Sequence, residues 1–166
     1  FTDPIRPSVT EAIRICVEQG IKVKMLTGDH LLTAHSIADK INLPHEHDQL
    51  FSGPDLEAMT LSERAYSFQK GVIFARLKPE QKLQLVQELK KNGNVVAMTG
   101  DGINDAPALS KAEVSMAMSN GSDVALEASD VSLLEGKINL VYEFIVRSKK
   151  TMRIIKENLI LSSVYN

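Results

Sequence analysis

The feature that most constrains this chain is alternation. Short runs rich in β-branched and apolar residues recur between longer segments with helical spacing. In "PSVTEAIRICVEQG", Val9, Ala12, Ile13, Cys16 and Val17 fall on one helical face, with Pro7 near the start and Gly20 as the stop. "IKVKML" follows as a strand, then the polar turn "TGDH" and a helix "LLTAHSIADKI" ended by "NLP". "PHEHDQLFSGPDLEAMT" reads as loop with a short turn, and "LSERAYSFQ" as a short helix. "GVIFA" is a strand, "KPEQKLQLVQELKKNG" a helix with Pro79 in its first turn, and "NVVAMT" a strand. "NDAPALSKA" is a short helix, "VSMAM" a strand, "SDVALEAS" a helical turn and "DVSLL" a strand, before one long helix from "KINLVYEF" to the end. Strands alternating with helices predict an α/β fold: a mainly parallel sheet with helices on both faces.

Composition matters here for what it excludes. A net charge of −2 with both signs interspersed gives no argument for nucleic acid binding. One cysteine, Cys16, rules out an internal disulfide framework and a multi-cysteine metal site. Residues 1–20 lack a basic start followed by an apolar stretch, and "FTDPIRP" opens without an initiator methionine, so a piece of a longer protein is expected.

In open parallel sheets, ligands bind outside the carboxyl ends of the strands. Three polar clusters fall there. Thr27, Gly28 and Asp29 follow "IKVKML"; Thr99 to Asp105, "TGDGIND", follow "NVVAM"; and Lys82 lies one turn into the helix after "GVIFA". Together they supply carboxylates for a hard divalent cation, an ammonium, and hydroxyl and amide donors for phosphate oxygens. Asp101 and Asp105 would each raise the cost of ionising the other unless a cation stood between them. Mg²⁺ suits that role, while Gly100 and Gly102 permit a tight turn. The plainer alternative makes Asp101 a turn residue and Asp105 a first-turn helix carboxylate.

These strings resemble a known family. "TGDGINDAPAL" resembles the hinge motif of P-type ATPases, within the haloacid dehalogenase-like superfamily. "DPIRPSVTEAIRICVEQGIKVKMLTGDH", "FARLKPEQKLQLVQELKKNG" and "SDVALEASDVSLL" resemble further segments, in the family's order. The resemblance implies a Rossmann-like sheet and a pump that forms and hydrolyses an aspartyl phosphate from ATP, using Mg²⁺. It places Thr27, Gly28 and Asp29 at the phosphate, Lys82 on the aspartyl phosphate, Asp101 on Mg²⁺, and Asn104 with Asp105 as the hinge pair that holds phosphate and metal together. The family's nucleophile lies in a D-K-T-G-T motif, and no such string occurs here. The chain is therefore expected to hold the second half of a phosphorylation domain, without the nucleophile strand, and to be inactive alone. Its expected partners are the missing nucleophile, nucleotide-binding, actuator and membrane parts of the same pump.

The expected division is residues 1–136 for the phosphorylation domain, 137–157 for a basic stalk helix, and 158–166 for the start of a membrane helix on the cytoplasmic side. Arg147, Lys149, Lys150, Arg153 and Lys156 precede the apolar "NLILSSVYN", which is far shorter than the roughly 20 residues needed to span a bilayer. The tail resembles the heavy-metal branch, in which a Tyr-Asn pair contributes to Cu⁺ or Ag⁺ binding; Tyr165 and Asn166 occupy that place. His45 and His47 in "PHEHD" read as polar loop residues in preference to a metal pair. "NGS" at 120–122 matches a glycosylation sequon that a cytoplasmic domain would not use. Met98, Met116 and Met118 read as core filler. A soluble phosphatase of the same superfamily would need a D-x-D nucleophile motif, which is absent, and a non-catalytic module that binds Mg²⁺ or phosphate is the remaining alternative.

Overall fold

The computed structural model describes residues 7–133 and 139–165. Its elements run α1 (Pro7–Glu18), β1 (Met25–Leu26), α2 (Leu31–Lys40), β2 (Leu50–Ser52), α3 (Gly53–Ala58), α4 (Leu61–Lys70), β3 (Ile73–Ala75), α5 (Pro79–Lys91), β4 (Ala97–Gly100), α6 (Ala106–Leu109), β5 (Val114–Met118), α7 (Asp123–Glu127), β6 (Val131–Leu133) and α8 (Asn139–Tyr165). Every strand pairing is parallel, as the alternation requires.

The sheet comes in two pieces. β1, β3 and β2 form one three-stranded sheet with β3 in the middle; β4, β5 and β6 form a second with β5 in the middle. The registers pair Leu26 with Phe74, Phe51 with Phe74, Thr99 with Met116 and Ala117 with Ser132. Among the described residues β1 pairs only with β3, and β4 only with β5. A single continuous sheet is the simpler expectation; the observed split leaves one edge of β1 and one edge of β4 free to accept another strand. Ala97 and Thr99 on β4 are correspondingly exposed.

The middle strand of the first sheet shows why this piece holds. Ile73, Phe74 and Ala75 have no exposed surface, so both faces are covered. Ile73 and Ala75 point into a core with Ala34, Ala38, Ile41 and Leu43 from α2 and its following loop. Phe74 points the other way, among Leu56, Phe68, Leu77, Leu85 and Leu89. Burying a side chain of that size contributes about 2–3 kcal/mol. The second sheet packs Met98, Ala108, Leu109, Ala117 and Ala125 with Val86.

α5 joins the two pieces. Leu85 and Leu89 face the first core, and Val86, one position on, faces the second. Its start is set by Pro79 in the first turn and by Gln81, whose side chain accepts from the Lys78 N–H at 2.9 Å and donates to Gly53 O at 2.8 Å. Capping boxes open α3 and α4: Ser52 with Asp55, and Thr60 with Glu63.

The sequence missed β2 and α3, both inside the stretch read as loop. The strand "LFS" is three residues long and carries no readable alternation. "IKVKML" gives only two paired residues, Met25 and Leu26; the Lys24 ammonium before them bonds Gln69 O at 3.0 Å and also Gly71 O. Met98 and Met116 are buried as expected, and Met118 is partly so. α8 packs against α1 through its first half, with Lys149 Nζ 3.4 Å from Gln19 Oε1. From Lys149 to Ser163 it is exposed throughout. Among the described residues, no helix is long and apolar enough to cross a membrane.

Candidate functional site

The centre of the candidate site is an ion pair between α5 and the loop after β4. Lys82 Nζ lies 2.7 Å from Asp105 Oδ1, and the two side chains are 12% and 13% exposed. Asp105 sits at the end of a short 3₁₀ turn, Ile103–Asp105, and its other oxygen accepts from the Gly102 N–H at 3.3 Å. Gly100 makes this geometry possible. A Cβ there would come within 2.7 Å of Asp105 Cβ and 2.9 Å of its Cγ and Oδ2, so the carboxylate packs where only a glycine leaves room.

The Thr27–Asp29 loop is fastened by backbone hydrogen bonds to the end of β3 and the connection that leads into α5. Thr27 N–H donates to Phe74 O at 2.9 Å, Leu77 N–H to Thr27 O at 3.1 Å, and Arg76 N–H to Asp29 O at 2.9 Å. The Thr27 hydroxyl oxygen accepts from the Asp29 N–H at 3.1 Å, a local turn that fixes the loop's shape. Arg76 takes φ 50° to present its N–H to Asp29, a conformation costing a non-glycine residue about 1 kcal/mol or more. Six residues beyond Arg76, Lys82 reaches Asp105. The loops after β1, β3 and β4 are thus linked in series at the carboxyl ends of their strands.

Asp101 and Asn104 are exposed on the β4 loop, and Asp29 is exposed on the β1 loop. The Asp101 backbone is held from below: Ser122 N–H donates to Asp101 O at 2.8 Å, and a Cβ at Gly121 would lie 2.9 Å from that oxygen. Sequence reading saw "NGS" only as a sequon. Its place after β5, at another strand carboxyl end, was the signal for this supporting role. Arg76 carried no such signal, since a positive φ in an arginine is invisible in the letters. The Tyr165 side chain and Asn166, the expected transported-cation pair, lie outside the described residues.

The donor set suits Mg²⁺. Among the described residues the Asp101 and Asp29 carboxylates are in no ion pair, and Asp101 accepts no side-chain hydrogen bond; hard carboxylate oxygens on a loop are what that ion takes. Asp105 is already engaged by Lys82, at 2.7 Å.

Residues 1–113 match the haloacid dehalogenase-like hydrolase family. The chain belongs to that family. Among its curated relatives, this haloacid dehalogenase-like chain is 46% identical over 135 residues to the cation-transporting ATPase pma1 of Synechocystis sp., covering 80% of this chain and 15% of that one. It is 36% identical over 166 residues to the probable copper-transporting ATPase PacS of the same organism, covering 100% and 19%. It is 38% identical over 151 residues to the P-type magnesium-transporting ATPase 1 of Salmonella typhimurium, covering 91% and 16%. It thus spans less than a fifth of the length of each of these. Among solved structures, the catalytic domain of the CPx-ATPase CopB-B, described in terms of conformational changes upon nucleotide binding, matches with TM-score 0.66 and 28% identity over 87% of this chain and 46% of that one.

Proposed function

We propose that this chain is the Mg²⁺- and phosphate-binding half of the phosphorylation domain of a P-type, ATP-driven cation pump, on the cytoplasmic side of a membrane. The observation that carries the reading is the Lys82–Asp105 pair, which joins the loop after β4 to the helix after β3 beside the fastened Thr27–Asp29 loop. The free edges of β1 and β4 support it, because a nucleophile strand from the same pump would fit between two parallel neighbours.

In this reading Asp101 holds Mg²⁺, with Asp105 beside it, and Mg²⁺ supplies charge neutralisation at the transferring phosphoryl group. Lys82, aimed by Asp105, places an ammonium against the same oxygens. Thr27 donates its hydroxyl and Gly28 its backbone N–H to phosphate, Asp29 fixes the loop that carries them, and Asn104 orients the metal-side loop. ATP is the phosphoryl donor, and the acceptor carboxylate arrives on the added strand. Residues 137–157 act as the stalk and 158–166 as the entry to a membrane helix. Cu⁺ or Ag⁺ is the favoured cargo, on the Tyr165–Asn166 pair; the likeness to PacS agrees with it.

The test is phosphoenzyme formation in the full-length pump with radiolabelled ATP. Asp101→Ala should abolish incorporation and Lys82→Ala should reduce it at least about tenfold, the range for losing one preorganised charge partner. Near-normal labelling in either variant overturns the assignment. A panel of cations added to the ATPase assay identifies the cargo.

A further inference from the structure

A second cluster lies at the far end of α2 from the Asp29 loop. Asn42 creates it. After α2 ends, Asn42 takes φ 54°, the left-handed conformation that turns a chain back past a helix terminus, and the Leu43 N–H bonds Ala38 O at 3.0 Å. Leu43 is buried in the core beside α2, so the returning segment is pinned there. His45 and His47 are thereby laid beside His35 and Asp39, which are one helical turn apart. His45 Nε2 lies 3.7 Å from Asp39 Oδ1, and His35 Nε2 lies 3.8 Å from Asp39 Oδ2. One ligand atom from each of His35, Asp39 and His45 falls within 4.8 Å of the other two. The His47 ring centre is 5.6 Å from that of His35.

Two observations set this apart from ordinary surface pairing. Separations of 3.7 and 3.8 Å are too long for hydrogen bonds, which run to about 3.2 Å. They are close to the ligand–ligand spacing of about 3.3 Å around a tetrahedral ion with bonds of about 2.0–2.1 Å. The second observation is the His45 ring. It is 7% exposed, and its Nδ1 lies 2.7 Å from Leu43 O. A backbone carbonyl accepts and cannot donate, so Nδ1 carries a proton there and Nε2 is the nitrogen that faces Asp39. That is the orientation in which metal-bound imidazoles are held by their outer partners.

We infer that His35, Asp39 and His45 form a three-ligand binding site for a divalent transition-metal ion of the zinc class. Two neutral imidazole nitrogens and one carboxylate oxygen favour such an ion over Mg²⁺ or Ca²⁺, which take oxygen ligands. The site departs from the loop reading for His45 alone, because His35 and Asp39 supply partners that a loop histidine by itself lacks. A bound ion would tie the segment after α2 to the helix itself. The inference is independent of the pump reading, because it uses none of its residues.

The test is Zn²⁺ binding to the 166-residue chain by titration calorimetry, with Co²⁺ as a spectroscopic probe. The expected result is about one equivalent of Zn²⁺ bound at about 10 µM or tighter, with tetrahedral Co²⁺ absorption. His35→Ala and Asp39→Asn should each weaken binding at least about 100-fold, since even outer partners of ligands are worth about 10- to 100-fold. His30→Ala, removing the exposed fourth histidine outside the cluster, should bind as the parent chain does. Binding weaker than about 1 mM, or binding undiminished in both His35→Ala and Asp39→Asn, overturns the inference.

Discussion

Lys82→Met separates the ion pair from the rest of the fold. The substitution keeps the length of the aliphatic stem and removes only the ammonium. It leaves the Asp105 carboxylate 13% exposed with one weak partner, the Gly102 N–H at 3.3 Å. Breaking a buried pair from one side costs about 3–5 kcal/mol, and the remaining solvent contact argues for the lower end, about 3 kcal/mol. Asp105→Asn should cost about 2 kcal/mol: the amide oxygen can still accept from Gly102, and a long lysine stem can carry its charge toward water. The double variant has no stranded charge, so it should cost only about 1–2 kcal/mol. The coupling is therefore about 3 kcal/mol, far above additivity error. Urea denaturation followed by circular dichroism reads it. With a slope of about 2 kcal/mol per molar, Lys82→Met should lower the midpoint by about 1.5 M, and the double variant by only about 0.5–1 M. Single costs below about 1 kcal/mol, or costs that simply add, would refute the claim that this pair fastens α5 to the β4 loop.

Further outcomes follow from other contacts. Gly100→Ala should destabilise the chain by about 1–3 kcal/mol, because the new methyl meets the Asp105 side chain at 2.7–2.9 Å; an unchanged urea midpoint would show that the loop gives way freely. Lys24 is pulled down to about 8, first by burial and then by the neighbouring Lys22 charge. Its folded value lies below its unfolded one, so between about 8 and 10.5 the unfolded chain binds more protons and stability from this group rises with pH; below 8 that gain is absent. Lysine-resolved NMR titration checks the midpoint, and a value near that of an exposed lysine contradicts it. Thr60→Ala removes the oxygen that accepts from Glu63 N–H at 3.3 Å and should cost about 1 kcal/mol of stability, seen as a lower unfolding midpoint.

Much of the fold was legible because periodicity was strong where burial was strong. "VSMAM" matches β5 from Val114 to Met118, and the helix after Pro79 appears where its apolar spacing placed it. β2 was lost because three residues cannot display a period. Lys24 bonds a carbonyl forty-five residues away, a contact that no local pattern records. For the candidate site, residue types and strand-end positions were readable, but who pairs with whom was not. Lys82 choosing Asp105 depends on Gly100 leaving space, and the convergence of His35, Asp39 and His45 depends on the backbone reversal at Asn42.

The split between β1 and β4 bears on how the molecule breathes. Each half encloses its own apolar centre, and α5 spans the seam between them. Among the described residues one border each of β1 and β4 has no strand partner, so amide protons there should exchange with solvent well before those of β3 or β5. A guest strand that bonded both borders at once would slow that exchange and knit the two sheets into one slab.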